Sequence, residues 1–226
     1  MTLGKVGIIV AARMSSSRLP GKALKPLQGV PMISFLLRRL RNVKLGEVVV
    51  ATTDLPADDV LVDVVATEGI PVFRGPEDDV VARFVGAAKK FGFDTVARVT
   101  GDCPFVDAEL VDWCIAEASR FGHFDLATTK GRFPVGLDVE IYRAQQMALL
   151  HSGVSLSSAE REHLTLHFYD RSDDYIVRVI GLPVGWVPGG ECFTIDTASD
   201  YERAAEIVAK IGRVDFSIPT MLKAIH

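Results

Sequence analysis

Arg13, Arg18 and Lys22 stand within ten residues of one another, with Ser15, Ser16 and Ser17 between them and no acid interrupting. Three cations and three hydroxyls at that density suit the oxygens of a phosphate ester. The cations neutralise the charge, and hydroxyls and turn N–H groups hydrogen-bond to the oxygens. At about 4 Å a charge pair is worth roughly 1 kcal/mol in water and about 4 kcal/mol at an effective dielectric of 20, so a partly enclosed loop binds phosphate far better than an exposed one. The spacing is not the dinucleotide fingerprint G-x-G-x-x-G. It is not a P-loop either, because Gly21-Lys22 is followed by Ala23 and lacks the spaced upstream glycine. A solvated basic loop is the other reading of the same residues.

Two carboxylates invite a second piece of chemistry. Asp102 follows Gly101 at the end of an apolar run, and Asp196 follows Phe193-Thr194-Ile195. Should they meet over the basic loop, their oxygens suit Mg2+, which takes one or two carboxylates together with phosphate oxygens and water. Each has a local reading too: Asp102 as a turn residue, Asp196 as the N-cap of the next helix. In Leu137-Asp138-Val139-Glu140-Ile141 the alternation puts Asp138 and Glu140 on one face. There they bind sugar hydroxyls, Glu140 assists deprotonation of an attacking hydroxyl, or the strand simply faces solvent. Arg161-Glu162-His163 with His167 sets two histidines one helical turn apart, a spacing compatible with zinc, but no third ligand follows. His123 and His151 read as structural.

The elements that must position these groups alternate in period. Val6 to Ala11 reads as a buried strand, and Pro31 to Arg41 places Ile33, Leu36, Leu37 and Leu40 on one helical face. A strand at 47–51, a helix near 57–67, a short strand at 71–73 and a helix over 77–91 follow. Then come a strand at 95–99 and a helix over 107–121. That order is the pattern of right-handed βαβ units, and it predicts an α/β three-layer sandwich with a mostly parallel central sheet. In such a sheet ligands bind beyond the carboxyl ends of the strands, where the basic loop and both aspartates fall. Beyond strand 124–128 the regularity lapses. The pattern predicts a loop over 130–136, a strand at 137–142, a helix over 160–171, a strand at 175–180 and a loop at 185–190. A strand at 192–195 and a helix over 197–211 complete it. Residues 129–190 read as a subregion of a single 1–226 domain.

The 226 residues are 48% hydrophobic and 24% charged, ordinary for a globular domain and unlike a disordered or fibrous chain. No apolar run reaches the roughly 18 residues of a membrane span, and Val6 to Ala12 is too short for a signal-peptide core, so a cytoplasmic location is expected. Cys103, Cys114 and Cys192 are odd in number and widely spaced, and read as reduced thiols. The net charge is −4, yet residues 1–46 carry nine of the 25 Lys and Arg and none of the 29 acids. A local basic segment in an acidic chain points to a small polyanion rather than to nucleic acid. For Arg38 to Lys44 a solvated helix face suffices.

The stretch from Ala12 to Lys22, continuing through Leu24, Gly29, Pro31 and Met32, resembles the signature of cytidylyltransferases that make CMP-activated acidic sugars. It looks closest to the branch named for spore coat polysaccharide biosynthesis protein F, and is similar to acylneuraminate and 3-deoxy-manno-octulosonate cytidylyltransferases. The resemblance implies a nucleotide-diphospho-sugar transferase-like fold and transfer of CMP from CTP to an acidic sugar of the ulosonic or nonulosonic type. Pyrophosphate leaves, the product feeds surface polysaccharide synthesis, and relatives pair as homodimers through the part corresponding to 129–190. Neither nucleic acid nor membrane is implied as a partner.

Carried onto this chain, the resemblance puts Ala11, Ala12, Ser17 and Thr100 on the nucleotide, with Arg13, Arg18 and Lys22 on its triphosphate. Thr52, Asp54 and Arg74 match nucleotide-side segments. Gly101-Asp102-x-Pro104 with Val106-Asp107, and Ile195-Asp196-Thr197-x-x-Asp200, resemble the Mg2+-binding segments, so Asp102 and Asp196 become metal ligands. Arg13, Lys22, Asp102 and Asp196 then carry the in-line displacement at the α-phosphorus. Asp138, Glu140, Arg161 and His163 fall on the sugar side, with Arg161 suited to a substrate carboxylate. Thr100 stands where relatives of the octulosonate type have a base-contacting Gln, and Ala198-Ser199 replaces Pro-Glu, which bears on base selectivity. A glycosyltransferase of similar sandwich fold and a non-catalytic nucleotide-binding subunit are the other functions such a chain would fit.

Overall fold

The computed structural model describes residues 2–183, 186 and 191–225. The first half runs β1 (Val6–Ala11), β2 (Pro26–Leu27), β3 (Val30–Pro31), α1 (Met32–Leu40), β4 (Glu47–Thr53), α2 (Asp59–Thr67), β5 (Val72–Gly75), α3 (Val80–Phe91) and β6 (Thr95–Thr100). The second half runs α4 (Ala108–Arg120), β7 (Leu126–Thr128), β8 (Glu140–Arg143), α5 (Ala144–Gly153), α6 (Ser158–Glu162), α7 (Leu166–Asp170), β9 (Val177–Val179), α8 (Ala198–Ile211) and α9 (Ile218–Ile225).

β1 is apolar throughout because it has a parallel partner on each side, β4 and β6, and a helical layer above and below. Its side chains alternate between two cores. Ile8 and Val10 pack with α1, α4 and α8, while Ile9 packs with Phe84 of α3 and Met147 of α5. Among the described residues the sheet has seven strands in the order β5-β4-β1-β6-β8-β7-β9. It is parallel from β5 to β6; β8 is antiparallel to β6 and β7 to β8, and β9 is parallel to β7. The chain moves from β1 to β4 on one side and returns to β6 on the other, so the order reverses between β1 and β6. The crevice beyond their carboxyl ends is where such a sheet receives a ligand.

The first half follows its expected pattern to within a few residues. One side chain departs from it: Arg39, expected on a solvated face, is buried and donates to the carbonyls of Phe105, Val214 and Phe216. Burial pulls its pKa down to about 10 against the opposing pull of Asp107 and Asp215. Arg38 and Arg41 do face outward, both paired with Glu68.

In the second half several elements differ. The helix expected over 160–171 breaks at His163–Thr165 into α6 and α7, because Thr165 turns inward to donate to Glu140 at 2.9 Å. The strand expected at 137–142 shortens to β8, since Asp138 folds back to accept from Gly136 N at 3.1 Å. That expected at 192–195 reduces to a single bridge between Val135 and Cys192. The loop at 185–190 lies, apart from Trp186, outside the described residues. No described helix is long and apolar enough to cross a membrane.

Candidate active site

Ala11 of β1 and Thr100 of β6 are register partners, so the segments that follow them leave the sheet side by side. Gly101 N donates to Ala11 O at 2.7 Å, and a Cβ on Gly101 would lie 2.9 Å from that oxygen and 2.8 Å from Ala12 Cβ. Only glycine permits this approach. It brings Asp102 against the basic loop. Lys22 Nζ lies 2.9 Å from Asp102 Oδ2, 2.9 Å from Asp196 Oδ1 and 2.9 Å from the carbonyl of Ile195. Arg18 reaches the other oxygen of Asp196 at 3.0 Å.

Three oxygens from two distant parts of the chain thus converge on one cationic atom. The donor set is hard and oxygen-only, which suits Mg2+. Among the described residues no cluster of three or more His, Cys, Asp or Glu surrounds a common point. Two carboxylates with the remaining positions left to phosphate oxygens and water is how Mg2+ is usually held, so the residues fit the ion together with a nucleotide. Burial opposes the charge on Lys22, but Asp102 and Asp196 outweigh it and raise its pKa. Burial likewise pushes Asp102 up, and the ammonium beside it brings it below the usual carboxylate value. Asp196 is free of capping duty: Thr197 caps α8 by accepting from Asp200 N, and Asp200 closes the capping box.

These groups line a cleft of about 430 Å3 together with Ala11, Ala12, Ser17 and Thr100. Arg13 closes another part of it, paired with Glu162 at 2.7 Å and donating to Glu77 O at 3.3 Å. Five cations (Arg13, Arg18, Lys22, Arg83 and Arg98) face three carboxylates (Asp102, Glu162 and Asp196) around the cleft, leaving it positive inside an acidic protein. Arg83 and Arg98 escaped the sequence reading, because each lies inside a regular element and not in a loop.

Thr52, Asp54 and Arg74 lie outside this lining. Thr52 is fully buried and donates to Asp58 Oδ2 at 2.8 Å, Asp54 is exposed, and Arg74 ties Thr53 O, Leu55 O and Asp59 together. Their part in the site is indirect. Asp58 accepts from Met14 N at 2.7 Å and from both Thr52 and Thr53, which anchors the basic loop to the end of β4. Burial raises the Asp58 carboxyl, but the hydroxyl of Thr53 and the amide of Met14 lead a set of hydrogen bonds that bring it below its ordinary value. Replacing Asp58 by Ala leaves those donors unpaired, and we expect a loss of roughly 1–3 kcal/mol. Because the folded pKa is depressed, the stabilisation is present above the unfolded value of about 3.9 and is lost as pH falls through the folded one. Urea titrations at pH 7 and near pH 3 check this; a difference between wild type and variant that grows on acidification would contradict it.

A second cavity of about 610 Å3 opens from the first, sharing Arg98, Thr100, Asp102 and His163. Asp138 and Glu140 both line it; their alternation puts them on one face and leaves open whether that face meets a cleft or solvent. Glu140 is buried and accepts from Arg98, from Thr165 and from Tyr169 at 2.6 Å. Burial raises its carboxyl, and Arg98 with these hydroxyls more than reverses the effect. Asp138 is pushed up by burial, with Glu140 adding to the rise. Arg161, expected on a substrate carboxylate, instead pairs with Asp79 and lies outside both linings. The break between α6 and α7 separates the two histidines: His163 faces the cavities, and His167 is buried against Glu160 at 2.7 Å. Lys130 lines the second cavity over the Tyr169 ring and makes no ion pair among the described residues.

A positive cleft at the reversal point of a parallel sheet, with paired aspartates across it, is an arrangement suited to nucleotidyl transfer. Residues 7–212 match the model of the cytidylyltransferase family, and the chain belongs to that family. It is 32% identical to the spore coat polysaccharide biosynthesis protein SpsF of Bacillus subtilis, over 96% of this chain and 92% of that one. It is 36% identical to the 3-deoxy-manno-octulosonate cytidylyltransferase of a Bradyrhizobium species over 47% of this chain and 44% of that protein. The solved structure of a cytidylyltransferase from Leptospira borgpetersenii superposes with a TM-score of 0.91 at 31% identity, covering 98% of this chain and 94% of the other.

Proposed function

We propose that this cytidylyltransferase transfers CMP from CTP to a hydroxyl of an acidic sugar, releasing pyrophosphate, in the synthesis of a surface polysaccharide. The observation that carries the reading is the meeting of Lys22 with Asp102 and Asp196, which lie 80 and 174 residues further along the chain. The names of the relatives support the sugar side, as does Lys130, a cation that lines the second cavity near Asp138 and makes no ion pair among the described residues.

In the reaction the acceptor oxygen forms a bond to the α-phosphorus while the bond from that phosphorus to pyrophosphate breaks. Arg13, Arg18 and Lys22 hold the triphosphate and stabilise the charge that builds on the leaving group. Asp102 and Asp196 are the residues that would hold Mg2+, which when bound neutralises phosphate charge and polarises the phosphoryl oxygens. The hydroxyl proton passes to the cavity, where Asp138, raised by burial, is the better acceptor; Glu140, held ionised by Arg98, positions the wall instead.

A pyrophosphate-release screen of the four nucleoside triphosphates against a panel of keto-acid sugars tests the proposal. CTP with a sugar acid should react and the other pairings should not. Transfer from a nucleoside diphosphate sugar, or binding of CTP without turnover on any sugar, would overturn it in favour of a glycosyltransferase or a non-catalytic subunit. Lys22→Ala should weaken CTP binding more than CMP binding by calorimetry, roughly 10-fold for the lost charge-assisted contacts. Equal losses for both nucleotides would remove Lys22 from the terminal phosphates.

A further inference from the structure

Arg83 lies in the first turn of α3, only 3% exposed, and its side chain lines the first cleft. Its Nε and Nη1 are buried and have no hydrogen-bond partner among the described residues. The carboxylates nearest to it are engaged elsewhere: Glu162 with Arg13, Glu77 with Ser15, and Asp58 with Met14, Thr52 and Thr53. Burial, and then the charge of Arg13, hold its pKa below the ordinary guanidinium value. A buried cation beside a second cation, with two donors that nothing among the described residues receives, is poorly placed for stability alone. Each of these donors suits a separate oxygen of a phosphoryl chain, which a guanidinium can engage along more than one edge.

We infer that Arg83 acts with Arg13 as a clamp for the phosphoryl chain of the nucleotide, apart from the phosphate contacts of Arg18 and Lys22. The inference rests on the nucleotide reading of the cleft and adds to it a residue buried in the apolar face of α3. A sugar carboxylate is the less suitable occupant, because Arg83 lines the first cavity and not the second. The clamp would fix the nucleotide's phosphates before the acceptor arrives.

Calorimetric titration of wild type, Arg83→Gln and Arg83→Lys with CTP, tripolyphosphate and cytidine reads the assignment, alongside melting temperatures without ligand. Arg83→Gln should bind CTP and tripolyphosphate roughly 10- to 100-fold more weakly, the range expected for lost hydrogen bonds to a charged group. Arg83→Lys, a point charge without the fork, should fall between. Cytidine binding should be unchanged, and neither variant should melt lower than wild type, since no side-chain hydrogen bond among the described residues is lost. Full CTP affinity in Arg83→Gln, a matching loss for cytidine, or a lowered melting temperature in both variants would each overturn the clamp. If the wild type binds no CTP, the cytidylyl reading fails by itself. The clamp is then decided by tripolyphosphate, which must still distinguish wild type from Arg83→Gln.

Discussion

Asp102→Asn should keep the fold and lower Mg2+-dependent turnover by roughly 10²- to 10³-fold, the scale seen when one preorganised electrostatic contributor to a transition state is removed. The fold is expected to hold because an amide oxygen still accepts from Lys22 Nζ at the 2.9 Å position, and Ile195 N still donates to the Asp102 backbone carbonyl. What is lost is one negative charge where two carboxylates face a single cation. An amide is a poorer ligand than a carboxylate for a hard divalent ion. The defect should therefore appear as a raised Mg2+ requirement as well as a lower maximal rate. Circular dichroism and melting confirm the fold, and pyrophosphate release against Mg2+ concentration reads the chemistry. Near-normal rates at ordinary Mg2+ would remove Asp102 from the metal and leave it a partner of Lys22 alone.

The parts of this site that were legible in the sequence are those whose chemistry is local. The run Val6 to Ala11 followed by a loop rich in Arg, Lys and Ser announces a strand and an anion site within some twenty residues, and Gly101-Asp102 marks a strand end with room for close approach. Asp196 was ambiguous between metal ligand and helix cap. The cap reading falls one residue later, where Thr197 takes the cap. The buried cations were not legible. Arg83 occupies a position three residues after Val80, inside the apolar stripe of α3, and Arg39 sits similarly in α1. A cation in such a stripe is the signal that was available, but its meaning depends on what the opposite layer presents: three carbonyls for Arg39, an open cleft for Arg83. The same dependence explains the broken helix over 160–171. Its periodicity was adequate, and the tertiary bond from Thr165 to Glu140 overrode it. The helix α5 buries only Met147 and Leu150, and its amphipathic signal is faint.

Glu140→Ala is expected to be the most destabilising single change in the second cavity, by roughly 3–5 kcal/mol, because removing one member of a buried ion pair leaves the other charge uncompensated. The carboxylate is deep, with Glu140 6% exposed and the Arg98 side chain 24% exposed, and Nε of Arg98 has no partner among the described residues, so the guanidinium depends on this one carboxylate. The same substitution frees Thr165 and Tyr169, which hold the turn between α6 and α7 against the sheet. His163 belongs to that turn and lines both cavities, so the loss should spread from stability to acceptor binding. The folded pKa of Glu140 is depressed. Its contribution is therefore present above the unfolded value of about 4.3 and disappears as pH falls through the folded one. Urea titration of wild type and variant at pH 7 measures the loss. The double variant Arg98→Met with Glu140→Leu separates charge from packing, since replacing both members by apolar groups should recover most of the stability while leaving the enzyme inactive. A loss below about 1 kcal/mol in the single variant would place the pair on the scale of exposed salt bridges and detach the cavity wall from it.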